Sequence, residues 1–452
     1  MSQPNPQNSI QTPANAAAAS PVQARKQPRL QAVKGMHDLL PQHSGLWQFF
    51  EDTARHVFEA HGYQLMRTPI VEATPLFARS IGEVTDIVEK EMYSCSDSMN
   101  GDALTLRPEA TAGLVRAAVE HSLLRDGPKR VWTFGPMFRH ERPQKGRLRQ
   151  FHQFDVEAMG YAGPDVDAEQ IVMLARLWRE LGLKAVRLEI NSIGDAPARL
   201  AHRAALVAYF EANEDKLDED AKRRLHTNPL RTLDTKNPAM QGLVDAAPKL
   251  SDYLDTAAKA HFTGVCDRLT AAGIAYTVNP RLVRGFDYYN RTVFEFIGKG
   301  VDWELTIGGG GRYDGLCEQL GGKSAPSCGF GIGAERVMLM LEETPPATLP
   351  VAMDAYFIYG EGLSAAGFAL TEALRNAGVR VVLHANADGT DASFKSQMKK
   401  ADASRARYAI IRGSDEAAAE VFALKNLQDG TQQILPFDDV VAQVKLARGN
   451  AA

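Results

Sequence analysis

Strand-like segments that follow one another through short loops constrain the fold of this chain more than any other feature. One pair is VWTFGPMF and RQFHQFDVE, at 131–138 and 149–157, and another is RTVFEFIG and VDWELTIGG, at 291–298 and 301–309. Strands joined this closely pair as antiparallel neighbours, whereas parallel strands need a crossover of a dozen or more residues. The sequence therefore predicts a largely antiparallel central sheet, and it excludes a doubly wound nucleotide-binding fold as the core.

Other stretches of the central region predict the helices and strands that surround this sheet. Apolar residues at helical spacing predict a helix over 46–60. The last of these patterns is CGFGIGAERVMLMLEE, at 328–343, which predicts a Gly-rich strand that runs into a helix. The remaining predictions are strands at 62–73, 102–107, 185–194 and 275–285, a turn at Arg107-Pro108, a helix opening near Glu109 or Thr111, and a helix over 167–183.

The last hundred residues follow a different pattern, after the Pro-rich stretch TPPATLP at 344–350. Strand-like segments alternate there with helical ones, which indicates right-handed crossovers between parallel strands. We expect helices over 363–376 and 392–404. The pattern predicts an α/β domain over 351–452 with a mixed, mostly parallel sheet.

Two further stretches differ in composition from the rest. Residues 196–257 are rich in Ala, Lys, Asp, Glu and Leu at helical spacing and predict a helical insertion, which would divide a catalytic α+β domain into 31–195 and 258–343. Residues 1–30 carry five prolines and no apolar core for a secretory signal. They predict a disordered tail on a cytoplasmic protein.

Composition narrows the class of protein. The chain has 452 residues, of which 23% are charged, and a net charge of −4. Its four cysteines form no CxxC pair, so neither a zinc site nor a disulfide framework is expected. No stretch approaches the roughly 20 apolar residues that cross a bilayer. We expect a protein of several domains with no bound metal of its own and no membrane contact.

The loop between the first pair of strands is strongly basic. Five cations accompany one acid, Glu141, within 139–149. A solvated hairpin with a charged tip is one interpretation. However, Arg139 and Arg149 fall on the predicted strands, and arginines on a sheet suit a polyanion whose oxygens they bind in pairs. The loop tip could hold a second, larger polyanion.

Three later stretches also contain candidate ligand-binding residues: LVRGFDYYNRTVFE (282–295), TIGGGGRYD (306–314) and GFGIGAERV (329–337). Arg284 and the tyrosines after it are either ligand contacts or ordinary strand packing. Four glycines after a strand either let a ligand lie against bare backbone or form a flexible turn. Arg336 either binds a base or phosphate or is merely solvated. Glu109 and Glu157 could bind an ammonium group and an imidazole, or be structural acids.

Taken in order, these stretches together with TLRPEATAG closely resemble the histidyl-tRNA synthetases, a class II aminoacyl-tRNA synthetase family, over roughly 31–440. RGFDYYNRTVFE and GGGGRYDGL are the stretches characteristic of the histidine-specific enzymes. The resemblance implies an antiparallel sheet that binds bent ATP with Mg²⁺, activation of L-histidine, and transfer of histidine to its tRNA. It also implies a homodimer that associates through 46–72, and an anticodon-binding C-terminal domain.

The resemblance further implies a role for each matching residue. Arg139 would contact the α-phosphate, Arg336 the γ-phosphate and adenine, and Phe151 the adenine face, while Arg284 would be a second catalytic arginine. The amino-acid site would hold the ammonium group with Glu109, Thr111 and Gln153, read the imidazole with Glu157 and Tyr289, and include Arg284 and Tyr288. In the loop, Arg147 would face the nucleotide, and Gln144 and Lys145 the tRNA acceptor end.

A second basic patch lies in the C-terminal region, on and after the helix predicted over 392–404. Phe394 and Met398 are expected to form the buried stripe of that helix, which leaves its lysines outward for tRNA. The patch consists of Lys395, Lys399, Lys400, Arg405, Arg407 and Arg412, with Asp402 as its acid. Two other functions remain open at this stage: a histidine-binding paralogue that regulates ATP phosphoribosyltransferase, and a general RNA-binding protein.

Overall fold

The structure is a computed structural model that describes residues 29–82, 85, 87–227, 229–235, 237–346, 353–387, 390 and 392–449. The predicted tail therefore lies outside the described residues except for its last two positions, and the predicted linker except for 344–346. No helix among the described residues is long and apolar enough to cross a lipid bilayer.

Helices and strands alternate along the described chain. The helices are α1 (Pro41–Ala60), α2 (Thr74–Ile81), α3 (Thr111–Glu120), α4 (Pro164–Glu180), α5 (Ala196–Glu211), α6 (Glu219–Arg224), α7 (Gln241–Asp245), α8 (Thr256–Ala271), α9 (Leu316–Gln319), α10 (Ala334–Glu343), α11 (Ser364–Asn376), α12 (Phe394–Ala403), α13 (Ser414–Ala418) and α14 (Phe437–Gly449). The strands are β1 (Gln64–Leu65), β2 (Val71–Ala73), β3 (Tyr93–Ser96), β4 (Ala103–Leu106), β5 (Lys129–Phe138), β6 (Gln150–Met159), β7 (Val186–Ser192), β8 (Thr277–Val278), β9 (Asn290–Lys299), β10 (Glu304–Arg312), β11 (Ser327–Gly333), β12 (Ala355–Tyr359), β13 (Val381–Leu383), β14 (Tyr408–Arg412), β15 (Phe422–Asn426) and β16 (Gln432–Leu435).

An eight-stranded sheet forms the centre of the molecule, in the order β1-β5-β6-β11-β10-β9-β7-β8. Only the short edge strands β1 and β8 pair in parallel with their neighbours, and the other five pairs are antiparallel. The prediction of a largely antiparallel central sheet is confirmed. A small sheet, β2-β4-β3, stands beside it.

Two predicted strands are broken by proline. The strand predicted over 62–73 is divided between the two sheets as β1 and β2, because Pro69 lacks a backbone N–H and restricts Thr68 before it. The strand predicted over 275–285 is reduced to β8. Its remainder turns at Asn279, whose side chain accepts a hydrogen bond from the backbone N–H of Arg281 at 3.0 Å.

Strand β6 shows how the sheet separates its core from its open face. Side chains alternate along a strand, and Phe154, Val156 and Ala158 all enter the core. The Phe154 ring lies 5.3 Å from that of Phe50 and 4.3 Å from that of Phe134. Each such aromatic contributes about 1.5–3 kcal/mol by burial. The intervening residues of β6 therefore face the other way, towards the site described below.

Helix α1 covers the core face of the sheet and is longer than the predicted 46–60. It begins at Pro41, whose missing N–H costs nothing in the first turn of a helix. Its buried stripe has helical spacing, and the chain leaves the helix through Gly62 at φ +79°. The stripe consists of Trp47, Phe50, Ala54, Val57 and Phe58.

The segment from α5 to the start of α8 is helical, as the composition of 196–257 predicts. It has an apolar cluster of its own, which includes Leu206, Phe210, Met240 and Val244. The exact limits of the insertion stay a prediction.

The C-terminal sheet has the order β13-β12-β14-β15-β16. Strand β12 pairs in parallel with β13 and β14, whereas the pairs β14–β15 and β15–β16 are antiparallel. A mixed sheet is therefore confirmed. It is not mostly parallel, because two of its four strand pairs are antiparallel, and one of these involves β16, which was not predicted. Helix α14, which packs against this sheet, was not predicted either.

Candidate active site

A cavity of about 430 Å³ opens on the face of the central sheet that lies opposite α1. This volume lies in the range of small-molecule sites. Ten of the predicted site residues line it: Glu109, Thr111, Arg139, Arg147, Phe151, Gln153, Arg284, Tyr288, Tyr289 and Arg336. The cavity brings together lining residues that are as much as 249 positions apart, from Ile87 to Arg336.

The floor of the cavity has polar side chains on one strand and glycines on the next. On β6, Gln153, Asp155 and Glu157 pair directly with Gly333, Gly331 and Gly329 of β11. A Cβ at position 331 would come within 3.0 Å of the Asp155 carboxyl, and one at 329 would overlap the Glu157 carboxylate. The glycines of β11 are therefore what leaves room for the polar side chains of β6.

The four glycines at 308–311 lie within β10 rather than after a strand, so the flexible-turn interpretation is wrong. A Cβ on Gly310 would overlap the carbonyl oxygen of Gly329, and one on Gly309 would lie 3.0 Å from Nη1 of Arg284. Two of these glycines, 308 and 309, line the cavity. They permit close strand contact and an open floor.

Arginines gather at one end of the cavity. Arg139 and Arg149 do not lie on the strands as predicted. They lie one residue beyond β5 and before β6, where the Arg139 N–H donates to the Arg149 carbonyl at 2.9 Å. The Arg139 guanidinium donates to the Pro108 carbonyl at 2.9 Å and lies 5.0 Å from the centre of the Phe151 ring. Burial lowers the pKa of Arg139, but the group stays cationic at neutral pH.

Arg336 joins the loop to the sheet at this end. Its guanidinium donates to the carbonyl oxygens of Gly146 at 2.9 Å and Thr306 at 2.7 Å. Burial lowers the pKa of Arg336, and the charges of Arg147 and Arg139 lower it further. Cations that repel one another across a cavity favour a polyanionic ligand between them.

Arg284 projects towards the middle of the cavity. It forms an ion pair with Glu295 of β9, and its guanidinium lies 5.5 Å from the centre of the Tyr289 ring. Its Nε is buried and has no partner among the described residues. Glu295, which was not predicted as a site residue, also accepts a hydrogen bond from Thr306 at 2.9 Å.

The opposite end of the cavity is built around acids and hydroxyl groups. Glu109 accepts hydrogen bonds from the backbone N–H groups of Thr111 at 2.8 Å and Ala112 at 3.0 Å, and so it caps α3. The Thr111 hydroxyl donates to Glu157 at 2.7 Å, and the Tyr313 hydroxyl donates to the other oxygen of Glu157. Glu157 is 1% exposed and lies behind the lining residues rather than among them.

Burial raises the pKa of Glu157 well above its usual range, and the hydrogen bonds from Tyr313 and Thr111 oppose that rise. The rings of Tyr288 and Tyr289 lie 4.6 Å apart, and that of Tyr313 lies 5.6 Å from Tyr288. Tyr313 was not predicted as a site residue. Its position directly after the glycine run and Arg312 was the signal that could have found it.

Gln144 and Lys145 do not line this cavity. They line a neighbouring groove of about 370 Å³ at the loop tip. Gln144 pairs with Arg147 across a tight turn that Gly146 closes at φ +69°. Lys145 lies 2.5 Å from the Asp302 carboxylate. Gln144 and Lys145 therefore face the groove, whereas Gly146 lines both the groove and the main cavity.

Carboxylates that could accompany a metal–nucleotide complex also line the cavity: Glu141, Glu295 and Glu335. Oxygen ligands of this kind suit Mg²⁺. Within the described part of the chain, no group of three or more His, Cys, Asp and Glu residues is arranged to hold a metal ion by itself.

In the C-terminal domain, one residue of the helix predicted over 392–404 does not lie in the buried stripe to which it was assigned. Phe394 is 51% exposed, so it does not belong to the buried stripe of α12, which consists of Gln397 and Ala401. Phe394 is the first residue of the helix and lies beside exposed Lys395. Arg407 and Arg412 donate to backbone carbonyls at Ala447 and Val421, so both have structural contacts.

An arginine-lined cavity of nucleotide size on an antiparallel sheet, with a separate C-terminal α/β domain, defines an aminoacyl-tRNA synthetase of class II. The family model described as histidyl-tRNA synthetase matches residues 35–337, and that of the anticodon binding domain matches 350–446. The chain belongs to the histidyl-tRNA synthetase family.

Curated relatives and solved structures agree with this assignment. The chain is 58% identical over 410 residues to the histidine–tRNA ligase of Cupriavidus pinatubonensis, which covers 90% of each chain. It is 54% identical over 426 residues to that of Burkholderia thailandensis, at 92% and 96% coverage. The structure of apo S. aureus histidyl-tRNA synthetase is similar with a TM-score of 0.75 and 33% identity, over 92% of this chain and all of that one.

Proposed function

We propose that this protein activates L-histidine with ATP to form histidyl-adenylate and pyrophosphate, and then transfers histidine to the 3′-terminal ribose of its tRNA. One observation carries the proposal: an arginine-rich end and an end with buried acids and hydroxyls meet in one cavity of about 430 Å³. A triphosphate fits the first, and an amino acid with a polar ring fits the second.

The first step is an in-line attack of the histidine carboxylate on the α-phosphorus. Charge builds on the non-bridging and leaving oxygens, so fixed cations beside them lower the barrier. Arg139 and Arg284 are the groups that we assign to this role. No general base is required, because the attacking carboxylate is already ionised.

The nucleotide is held by the loop base and the start of α10. Phe151, whose ring already faces the Arg139 guanidinium, provides the stacking surface for adenine. Arg336 and Arg147 bind the distal phosphates. Mg²⁺ would enter with ATP near Glu141, Glu295 and Glu335 and neutralise charge on the phosphates.

Selection of histidine depends on the polar groups at the acidic end of the cavity. Glu109, Thr111 and Gln153 lie on the side assigned to the ammonium group, and Glu157 with Tyr289 on the side assigned to the imidazole, beside Tyr288. A site that hydrogen-bonds a substrate group can reject an analogue without that group by roughly 10⁴–10⁵. The Tyr313 and Thr111 hydroxyls orient Glu157 for this purpose.

The tRNA would contact two distant surfaces. Gln144 and Lys145 at the loop tip face the acceptor end, and the C-terminal domain, 351–452, binds the anticodon. Exposed Phe394 beside Lys395 and Lys399 suits base stacking together with phosphate binding. Binding that depends on such lysines weakens with salt.

The helical insertion, 196–257, and the two catalytic segments, 31–195 and 258–343, complete the domain assignment. We place the reaction in the cytoplasm, where aminoacyl-tRNA is used.

A homodimer is part of the proposal. The predicted interface, 46–72, carries three apolar side chains that are between 42% and 47% exposed: Leu65, Ile70 and Val71. Leu39 and Leu40, just before α1, are 49% and 47% exposed. Apolar side chains that cluster on a surface favour association. Sedimentation at micromolar concentration tests the dimer, and a single species of monomer mass would contradict it.

A regulatory subunit of ATP phosphoribosyltransferase is the competing function. The Bacillus halodurans structure whose title combines that role with histidyl-tRNA synthetase has a TM-score of 0.61 and 21% identity, a likeness of fold alone. The match of an anticodon-binding domain and the convergence of Arg139, Arg284 and Arg336 favour the aminoacylating enzyme.

The decisive experiment is amino-acid-dependent exchange of pyrophosphate into ATP, measured with the purified protein and each of the twenty amino acids. We expect exchange with histidine alone, and charging of histidine tRNA in a second assay. Exchange with another amino acid, or with none, would contradict the proposal. Histidine binding without exchange would support the regulatory function.

A further inference from the structure

Asp155 is a buried carboxyl group of the cavity to which the proposed reaction gives no role. It lies on β6 between Gln153 and Glu157, faces Gly331 across the strand pair, and is 3% exposed. It lines the cavity. Its Oδ2 is buried and has no hydrogen-bond partner among the described residues, and the same holds for Oε1 of Gln153.

Two unpartnered acceptor oxygens therefore belong to alternate residues on one face of one strand. Residues two apart on a strand lie about 6.5 Å apart, so a single small group can lie between their side chains. An ammonium group has three N–H donors and no acceptor. It matches two acceptors at this spacing better than a neutral hydroxyl, which offers a single donor.

Glu109, the acid assigned to the ammonium group, has its oxygens already engaged. Both accept backbone N–H groups at the start of α3, from Thr111 and Ala112. Each of these oxygens can accept one further hydrogen bond, so Glu109 stays available to the ammonium group. Asp155 adds a second acid, one whose buried Oδ2 has no hydrogen-bond partner among the described residues.

The charged groups around Asp155 come from several elements. Arg107 follows β4, Glu109 precedes α3, Arg139 follows β5, and Glu157 shares β6, while the facing residues of the paired strands, Thr133 and Gly331, carry no charge. Arg107 and Arg139 donate to carbonyl oxygens of Pro136 and Pro108. No side chain described here therefore neutralises Asp155 through a direct hydrogen bond.

We propose that the Asp155 carboxylate is an additional contact for the α-ammonium group of the amino acid, and that its proton passes to the solvent when the amino acid binds. This inference rests on the proposed function. The bond that breaks is the O–H of the Asp155 carboxyl group, whose proton is taken up by buffer. The ammonium group then donates to the carboxylate that remains.

The pKa of Asp155 agrees with the proposed release of a proton. Burial raises the pKa of Asp155 to about 8, the charge of Glu109 adds to the rise, and Arg107 and Arg139 oppose it. The group is then mostly neutral at pH 7.5 and ionised beside a cation. Its ionised fraction falls towards tenfold per pH unit below 8, so histidine affinity decreases as the pH is lowered from 8.

Titration calorimetry of the full-length protein with L-histidine tests the inference. Measurements at pH 7.5 in buffers of different ionisation enthalpy count the protons released. We expect the natural protein to release most of one proton more per histidine than Asp155→Asn releases. We also expect Asp155→Asn to weaken histidine binding roughly 10- to 100-fold, as the loss of a charge-assisted hydrogen bond does.

Two controls separate this role from a structural one. Imidazolepropionate, which lacks the ammonium group, should cause the same proton release in both proteins and should bind both with equal affinity. Asp354→Asn removes another buried carboxyl, one that pairs with Arg380 in the C-terminal domain, and should leave histidine affinity and proton release unchanged.

Equal proton release by histidine and imidazolepropionate would overturn the inference, and this comparison needs no variant. So would an unchanged dissociation constant in Asp155→Asn. Failure of the natural protein to bind histidine at all would instead refute the proposed function, and the inference with it.

Discussion

The phenolic hydroxyl of Tyr313 donates a hydrogen bond to the carboxylate of Glu157, 156 positions earlier in the chain. Tyr313 follows the last residue of β10, Arg312, which is 0% exposed and forms an ion pair with Asp167 of α4. The guanidinium also donates to the carbonyl oxygens of Tyr161 at 2.8 Å and Gly163 at 3.0 Å. The core thus fixes the end of β10, and the end of β10 fixes the acid beneath the cavity.

Removal of the Tyr313 hydroxyl should impair histidine recognition. In Tyr313→Phe, Glu157 keeps only the Thr111 donor, and a buried acceptor left without its partner costs about 1–3 kcal/mol. We expect the KM for histidine in pyrophosphate exchange to rise roughly 10- to 100-fold, with little change in the KM for ATP. Tyr209→Phe is the control, because it loses a hydrogen bond to the Leu243 carbonyl within the insertion. Equal effects of the two variants would contradict the assignment.

Arg284 should act mainly on the chemical step. Arg284→Ala removes a cation from the middle of the cavity and leaves Glu295 uncompensated, so we expect the rate of adenylate formation to fall by about 10²–10³. Histidine binding, measured separately by calorimetry, should change far less. Arg281→Ala is matched to it, since Arg281 lies three residues earlier and pairs with Asp245 of the insertion. An unchanged single-turnover rate in Arg284→Ala would exclude its catalytic role.

The ion pair of Arg312 and Asp167 should matter for stability. Removal of Arg312 leaves buried Asp167 with only His261 as a partner, at 3.3 Å, and breaking a buried ion pair typically costs about 3–5 kcal/mol. Arg312→Leu should lower the free energy of unfolding by that amount in urea denaturation. Arg187→Leu breaks a half-exposed pair with Glu304 and should cost about 0–1 kcal/mol. A small effect of Arg312→Leu would show that other contacts hold β10.

A methyl group on the glycine floor should be enough to disable the site. In Gly329→Ala, the new Cβ would overlap the Glu157 carboxylate, so this side chain must move and the imidazole contact is lost. We expect histidine-dependent exchange to fall at least tenfold. Gly242→Ala in α7 has no atom within 4 Å of the new Cβ, and it should leave exchange unchanged. Normal activity of Gly329→Ala would mean that Glu157 is not needed in its present position.

Much of this architecture could be predicted from periodicity. Strands β5, β6, β9 and β10 have long alternating or apolar patterns, and tertiary packing did not override them. The predicted strands over 62–73 and 275–285 failed at Pro69 and Pro280, where local backbone restriction outweighed side-chain pattern. Strand β16 was missed because QQIL is short and only partly apolar, and it forms only by pairing with β15.

The site was predictable where charge or glycine stood out in the sequence. Arg139, Arg284 and Arg336 converge on one cavity. Their shared site was predicted from a family resemblance and not from their spacing in the sequence. Asp155 and Glu295 were missed, because a single acid in a strand has no distinguishing pattern. Tyr313 was missed although it directly follows the glycine run and Arg312. Their roles depend on which residue the neighbouring strand presents to them, and this is a property of pairing that one sequence does not display.

The facing glycines of β11 have a consequence for any attempt to alter substrate choice. Since that strand offers no side chain to the floor, the contacts available for redesign there come from β6 alone. A shift of one residue between β6 and β11 would turn Phe154 and Val156 towards the cavity and hide Gln153, Asp155 and Glu157 in the core. The alignment of two backbones is thus itself a determinant of which amino acid is accepted.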